Sequence, residues 1–287
     1  MSHISPRPFD HLVLAVRDLD AAAALYARLG FQVGRRNVHP WGTENHIVQL
    51  DGAFLELIST GERFDAASGG VFARDLSRFL IHGEGAAMLV LRSTDADADA
   101  AEFAKAGIGQ GRFDFGRKGL DGQGREADLA FRLAFAQAKL MPETTFFACQ
   151  QTHPAAFRSK AAQVHPNAAT ALSTVVMQAD GPSDHAEFLS AFTGQREMLA
   201  TSLGLEVSVA PGQTIEVLTP VALAFRYGQG VARPQARIAA FRVTVGDLAA
   251  TRAALAGAGV VLIEKPGMVV VPASEAMGVA VAFEGAG

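Results

Sequence analysis

An apolar segment ending in Asp, a stretch of helical periodicity and a closing Gly recur four times along this chain. The apolar segments are FDHLVLAVRD, AAMLVLRSTD, LSTVVMQAD and AAFRVTVGD. The spacings from Asp18 to Gly30, Asp95 to Gly107, Asp180 to Gly194 and Asp247 to Gly259 are 12, 12, 14 and 12 residues. Asp is a strong helix N-cap and Gly a strong helix terminator, so each repeat reads as a strand running into a capped helix. Beyond each Gly the apolar period drops to two, which adds three strands and makes the unit βαβββ.

In the first unit Asp18 or Asp20 caps a helix whose Ala22, Leu25, Tyr26 and Leu29 form one apolar stripe. Strands are predicted over 31–36, 46–50 and 53–59, the last two joined through the hairpin signal Asp51-Gly52. The second unit carries a strand at 86–92, a helix with Ala96, Ala100 and Phe103, and strands near 111–116, 129–138 and 144–150. The third starts at Leu172, places Ser183 as N-cap of a helix carrying Phe188, Leu189 and Phe192, and continues through strands 205–209 and 214–218. The fourth starts near Ile238, with a helix over 247–258 and strands near 260–263, 268–271 and 278–283. One βαβββ unit leaves sheet surface unburied, so two units must pair to close a curved sheet around a cleft. At 287 residues the chain exceeds most single cores. The prediction is an α+β fold of four βαβββ modules in two domains, residues 1–150 and 171–287, joined by a segment at 151–170 where two His-Pro pairs break strand periodicity.

A formal charge of −4, a pI near 6.1 and the lack of a Lys/Arg cluster argue against nucleic acid as a partner. No apolar run approaches the roughly 18 residues of a membrane span, and the polar start MSHISPRP lacks a signal-peptide core, so no membrane partner and a cytoplasmic location are expected. The single cysteine, Cys149, sits in the strand-like TTFFACQQ and reads as a buried thiol. Gly107, Gly109 and Gly111 follow a helix instead of opening one, so no nucleotide cofactor is expected. GxSxG and HExxH are absent, which leaves serine-hydrolase and zincin chemistry without support. The expected partner is a small molecule, bound by a monomer or homodimer.

FDHLVLAVRDLDAAAALYARLGFQV, followed by HPWGTENHIVQL and AFLELIS, resembles the vicinal oxygen chelate superfamily of glyoxalases, bleomycin-resistance proteins and extradiol dioxygenases, and within it the glyoxalase-like domain proteins. CQQTHPAAF, VHPN and LTPVALAFRYG extend the likeness over nearly the whole chain. The resemblance implies a divalent metal ion (zinc, nickel, manganese or iron) in the first cleft, with His11 from the first strand and Glu56 from the last strand of the unit as ligands. Glu56 and His39 are the candidates for catalysis, and Trp41, Thr43 and Asn45, in a loop whose Gly42-Thr43-Glu44-Asn45 run can supply donors to an anionic or carbonyl ligand, are expected against the substrate together with Gln151. The second unit departs from the pattern: AAMLVLRS contains no His, and Gln151 stands where the subgroup carries His. Metal binding is therefore expected to be weak or lost.

Each candidate also has a plainer reading. His11 is then a hydrogen-bonded strand residue and Glu56 a solvent-facing one, although Phe54 and Ile58 share the face of Glu56 by parity and a carboxylate there needs a partner. His39 beside Trp41 reads as a rim residue. His153 and His165 read as turn residues before proline. Arg112, Arg117, Lys118 and Arg125, around the loop of Gly116, Gly119, Gly122 and Gly124, read as a solvated rim, with a grip on an acidic substrate as the alternative. The second domain's first strands carry no His, so that domain is expected to be degenerate. The leading function is a lyase- or isomerase-type enzyme assisted by a metal. The alternatives are a metal-free small-molecule binding protein and an extradiol dioxygenase.

Overall fold

The computed structural model describes residues 6–120, 125–154, 158–228 and 235–286. Gly122 and Gly124 lie outside them. The first module comprises β1 (Phe9–Ala15), α1 (Leu19–Arg28), β2 (Asn37–Val38), β3 (Thr43–Gln49) and β4 (Phe54–Thr60). After α2 (Gly70–His82) the second follows as β5 (Gly85–Arg92), α3 (Ala96–Lys105), β6 (Gly109–Leu120), β7 (Glu126–Ala136) and β8 (Thr145–Gln151). The third is β9 (Ala169–Gln178), α4 (Ala186–Thr193), β10 (Leu199–Ala200), β11 (Gly204–Ala210) and β12 (Gln213–Leu218). After α5 (Pro220–Tyr227) the fourth closes the chain as β13 (Arg237–Val245), α6 (Leu248–Gly257), β14 (Ile263–Lys265), β15 (Met268–Val271) and β16 (Ala280–Gly285).

Modules pair through their first strands: β1 runs antiparallel to β5 and parallel to β4, and β9 repeats this with β13 and β12. The result is two curved eight-stranded mixed sheets, ordered β2-β3-β4-β1-β5-β8-β7-β6 and β10-β11-β12-β9-β13-β16-β15-β14. The fold is α+β, with two domains built from four βαβββ modules.

The repeat owes its regularity to its caps. Asp18 accepts from the Ala21 amide at 2.9 Å, Asp95 from Asp97 and Ala98 at 3.0 Å each, and Asp247 from Ala250 at 2.9 Å. The closing glycines Gly30, Gly107, Gly194 and Gly259 sit at φ of 83°, 73°, 78° and 69°, a region costly for other residues. The third unit departs from this scheme. Neither Asp180 nor Ser183 caps α4, because Pro182 opens a 3₁₀ turn, Pro182–His185, that leads directly into the helix. The strand predicted over 31–36 is also displaced, shrinking to β2 at Asn37–Val38; before it the Gly34 amide donates to the Ile47 carbonyl at 2.9 Å.

Three apolar clusters result. Leu12, Leu14, Leu55, Leu57, Leu89 and Leu91 on the outer face of the first sheet pack under α1 and α3, in one core with Val175, Val217, Phe241 and Phe283 of the second sheet. The concave face of each sheet has its own cluster. In the first, Val13, Met88, Val90 and Phe135 meet Phe72, Leu76 and Phe79 of α2. In the second, Val176, Ala240 and Ala282 meet Ala222, Leu223 and Tyr227 of α5. Helices α2 and α5, which sequence periodicity had not separated from their surroundings, each cover a concave face.

The domains are joined by buried polar contacts as well as the shared core. Arg7 pairs with Asp99 and Glu102 of α3 while donating to the Phe192 carbonyl at 3.2 Å in α4. His165 lies in the connecting segment, accepting from the Gln32 amide at 2.9 Å through Nδ1 and reaching the Gln49 carbonyl at 2.7 Å through Nε2. It pins that segment to the first domain, while His153 is exposed. Among the described residues no helix is long and apolar enough to cross a membrane.

The capping geometry predicts a split outcome in urea unfolding. Asp18→Ala, Asp95→Ala and Asp247→Ala should each lower stability by about 1 kcal/mol, whereas Asp180→Ala should stay within about 0.5 kcal/mol of wild type.

Candidate functional site

On β1, Val13 and Ala15 belong to the concave cluster and His11 shares their parity. On β4 the same face carries Phe54, Glu56 and Ile58, and on β3 it carries Asn45 and Ile47, opposite Ile58 and Glu56. Much of the concave face around them is hydrocarbon, so these polar groups turn to one another. His11 stacks on Phe54 at 4.3 Å and directs Nδ1 at the buried Asp10 carboxylate, 2.7 Å away. Its Nε2 then faces Glu56, 3.7 Å from Oε2. The Asn45 side-chain amide donates to Glu56 Oε1.

His39 enters from the loop between β2 and β3. Gly42, at φ 82°, lets that loop close tightly; a Cβ there would run into the Arg63 carbonyl. The loop stacks His39 on Trp41 at 4.7 Å, sets its Nδ1 2.9 Å from Thr43 Oγ1 and leaves its Nε2 3.9 Å from Glu56 Oε1. The rim position expected for His39 is corrected: the imidazole is buried beneath Phe72 of α2 and Phe115 of β6.

These groups line a partly open cleft of about 410 Å³, solvent-open space included, with His11, His39, Asn45, Glu56 and Arg117 on its wall between the rings of Phe54, Phe72, Phe115, Phe131 and Phe147. Trp41 and Thr43 stand behind His39 and hold it. Gln151 lies outside the cavity wall and donates to both Asp10 oxygens at 3.1 Å, so it steadies the carboxylate that orients His11. Arg117, read from the sequence as rim with a grip on an acidic substrate as the alternative, lines the cleft. The pattern Phe113, Phe115, Arg117 alternates along β6 and turns its guanidinium to the concave side, whereas Arg112 pairs with Asp97 and Asp114, and Lys118 with Asp128.

Burial raises the Glu56 pKa above the ordinary 4.5, opposed by the positive field of His11, the Asn45 hydrogen bond and Arg117. Burial pushes His39 down to about 3, helped by Arg117 and His11, so it stays neutral around physiological pH. Cys149, in the same wall, is raised well above the usual thiol range by burial and then by Asp10 and Glu56, and remains a thiol.

The donors do not fit a tightly held metal ion. His11 and Glu56 have the separation of two ligands on one ion, roughly 3.4 Å for bonds near 2.1 Å. However, the Asn45 amide occupies Glu56 Oε1, and Gln151 is spent on Asp10. Among the described residues, no three His, Cys, Asp or Glu side chains are arranged to hold an ion.

The profile of the glyoxalase-like domain family matches residues 9–193. The chain belongs to that family. A search of curated proteins finds no significant match. The fold of this glyoxalase-like protein resembles a hypothetical protein from Staphylococcus aureus, 11% identical at a TM-score of 0.69 over 97% of this chain and 99% of that one. It also resembles a 4-hydroxymandelate synthase variant from Streptomyces coelicolor, 14% identical at 0.60 over 98% and 93%. A third is a xylose isomerase-like TIM barrel/4-hydroxyphenylpyruvate dioxygenase fusion protein, 12% identical at 0.61, matched over 99% of this chain and 50% of that one. At these identities the likeness speaks for the fold.

The second concave face carries a polar set that its lack of histidine had hidden. Glu216 lies opposite Val176 as Glu56 lies opposite Val13, and Arg242 lies opposite Thr174 as Val90 lies opposite His11. Arg242 pairs with Glu216 and, at 3.1 Å, with Glu284, while Arg226 and Tyr227 reach Glu216 at 3.2 Å each. There the buried carboxylate is neutralised from within the fold.

His39 titrates near 3 in the folded protein against 6.5 for the ordinary group, so between those values the unfolded chain binds the extra proton. Its contribution therefore destabilises the fold increasingly as pH falls from 6.5 towards 3. Between about pH 6.5 and 4.5, wild type should lose roughly 2 kcal/mol more stability than His39→Phe in chemical denaturation. Parallel pH profiles would contradict the buried neutral imidazole.

Proposed function

We propose that the first-domain cleft binds a small organic molecule with an apolar body and a carbonyl group, and that Glu56 moves a proton at the carbon beside that carbonyl. The observation that carries this reading is the Asp10–His11···Glu56 arrangement within an aromatic cavity. A carboxyl whose pKa is raised by burial is better matched to a carbon acid than an ordinary surface glutamate. In the proposed step the C–H bond breaks, Glu56 takes the proton, and the electron pair passes to the carbonyl oxygen as an enolate. Asn45 holds the carboxylate in place. Asp10 fixes the His11 ring through Nδ1, so that Nε2 is held towards Glu56, the group that takes the proton. Return of the proton to a different face or carbon completes an isomerisation, and loss of a leaving group instead completes a lyase reaction. Superfamily members use small-molecule substrates, which agrees with this reading. The metal-assisted version is disfavoured by the donor set described above.

A metal-free binding protein is the second reading, favoured by the same shortage of ligands. The two differ in an exchange experiment. The protein is incubated in D₂O with a panel of small aryl and alkyl ketones and aldehydes, and loss of the adjacent C–H signal is followed by ¹H NMR. Exchange above the blank that falls at least about 100-fold in Glu56→Gln supports the enzyme. Ligand binding without exchange supports the binding protein.

Metal content gives a separate test. Untagged protein dialysed after loading with zinc, nickel, manganese or iron should retain far less than one ion per chain. Stoichiometric retention would overturn the metal-free reading.

A further inference from the structure

A second, partly open cavity, of about 580 Å³ with its solvent-open space, adjoins the first and shares Ile47 and Arg117 with it. Its wall combines Gln32, Asn37 and Gln49 with Arg35 and Arg117 and with the apolar Ile47, Leu129 and Ala162, and no Asp or Glu contributes to it. Among the described residues more than half of the arginines of this acidic protein lie within ion-pairing distance of a carboxylate. The neighbouring Arg36 pairs with Asp20 at 2.5 Å and Glu44 at 2.9 Å. Arg35 and Arg117, by contrast, have no carboxylate within ion-pairing distance among the described residues. Arg117 is half-buried, its Nε has no hydrogen-bond partner there, and its Nη1 reaches only the Lys118 carbonyl at 3.5 Å. Burial disfavours its charge, Glu56 favours it, and Arg35 disfavours it again. An anion between the two guanidinium groups would relieve both the desolvation and the mutual repulsion.

We propose that the two cavities form one elongated site for a small organic acid. Its apolar body lies among the rings of the inner cavity, and its carboxylate or phosphate lies in the outer one between Arg117 and Arg35. Arg117 is thus the gate between the chamber that holds the reacting end and the vestibule that holds the charge. The inference rests on the reading that the first cleft binds a small molecule, and adds the class of that molecule.

Trp41, the single tryptophan, packs against His39 in the cavity wall and reports occupancy by fluorescence. The test titrates wild type, Arg117→Gln and Arg35→Gln with phenylacetate, phenyl phosphate and the neutral phenylacetamide, with thermal unfolding run on each variant. Wild type should bind one or both acids at least about tenfold more tightly than the amide. Arg117→Gln should remove that preference while leaving amide affinity within about twofold, which also shows that the cleft is intact. Arg35→Gln should weaken the acid by roughly two- to threefold, in keeping with its exposure. The better acid identifies the charge the vestibule prefers. Equal binding of acids and amide by wild type, or an acid preference that survives Arg117→Gln, would overturn the inference while leaving the cleft reading intact. No change in Trp41 fluorescence with any of the three would overturn both.

Discussion

Strands β1 and β4 are buried on both faces, and the chemistry of the first domain follows from that constraint. Their outer side chains pack into the core shared with the second domain, and their inner ones into the cluster beneath α2. A carboxylate on the inner face is therefore remote from water and must be answered by protein groups. Asp10, His11, Asn45 and Glu56 form that answer, held in an order set by strand parity and register. The raised pKa of Glu56 and the neutral state of His39 have the same origin, since both report the cost of charge inside an aromatic chamber.

The internal repeat contains its own control. Glu216 occupies the register position of Glu56 in a sheet of the same order, and it too is raised by burial. In the second domain the space above it is taken by Arg242, Arg226 and Tyr227. The first domain has Val90 at the place of Arg242, and keeps a cavity instead. One fold thus meets the same desolvation problem twice, once with an internal cation and once with room for a ligand. That contrast, more than the missing histidines, separates the two domains.

Much of this was legible in the sequence because it depends on local signals. Three of the four Asp caps, the four helix-closing glycines and the strand alternation are properties of short windows, and they fix the βαβββ modules. His11 and Glu56 share one cavity for the same reason, as parity on two adjacent strands is readable from residue numbers. What escaped depends on non-local packing. His39 is buried only because Phe72 from α2 and Phe115 from β6 close over it. Helix α2 itself carries the spacing Phe72, Leu76, Phe79, yet a glycine start without a side-chain cap left it unmarked. Arg117 follows Phe113 and Phe115 at period two, so its direction was available from the alternation. The surrounding glycines gave the segment the look of a solvated loop.

The account rests on a buried glutamate facing a histidine in an apolar chamber, and the ionisation of that glutamate tests it most directly. A ¹³C NMR titration of protein labelled at glutamate side-chain carboxyls, with Glu56→Gln used to assign the resonance, reads it in isolation. The Glu56 midpoint should lie above the ordinary 4.5 and shift in His11→Ala. A midpoint at or below 4.5, unchanged in His11→Ala, would mean that Glu56 is solvated and that the chamber described here does not exist in solution.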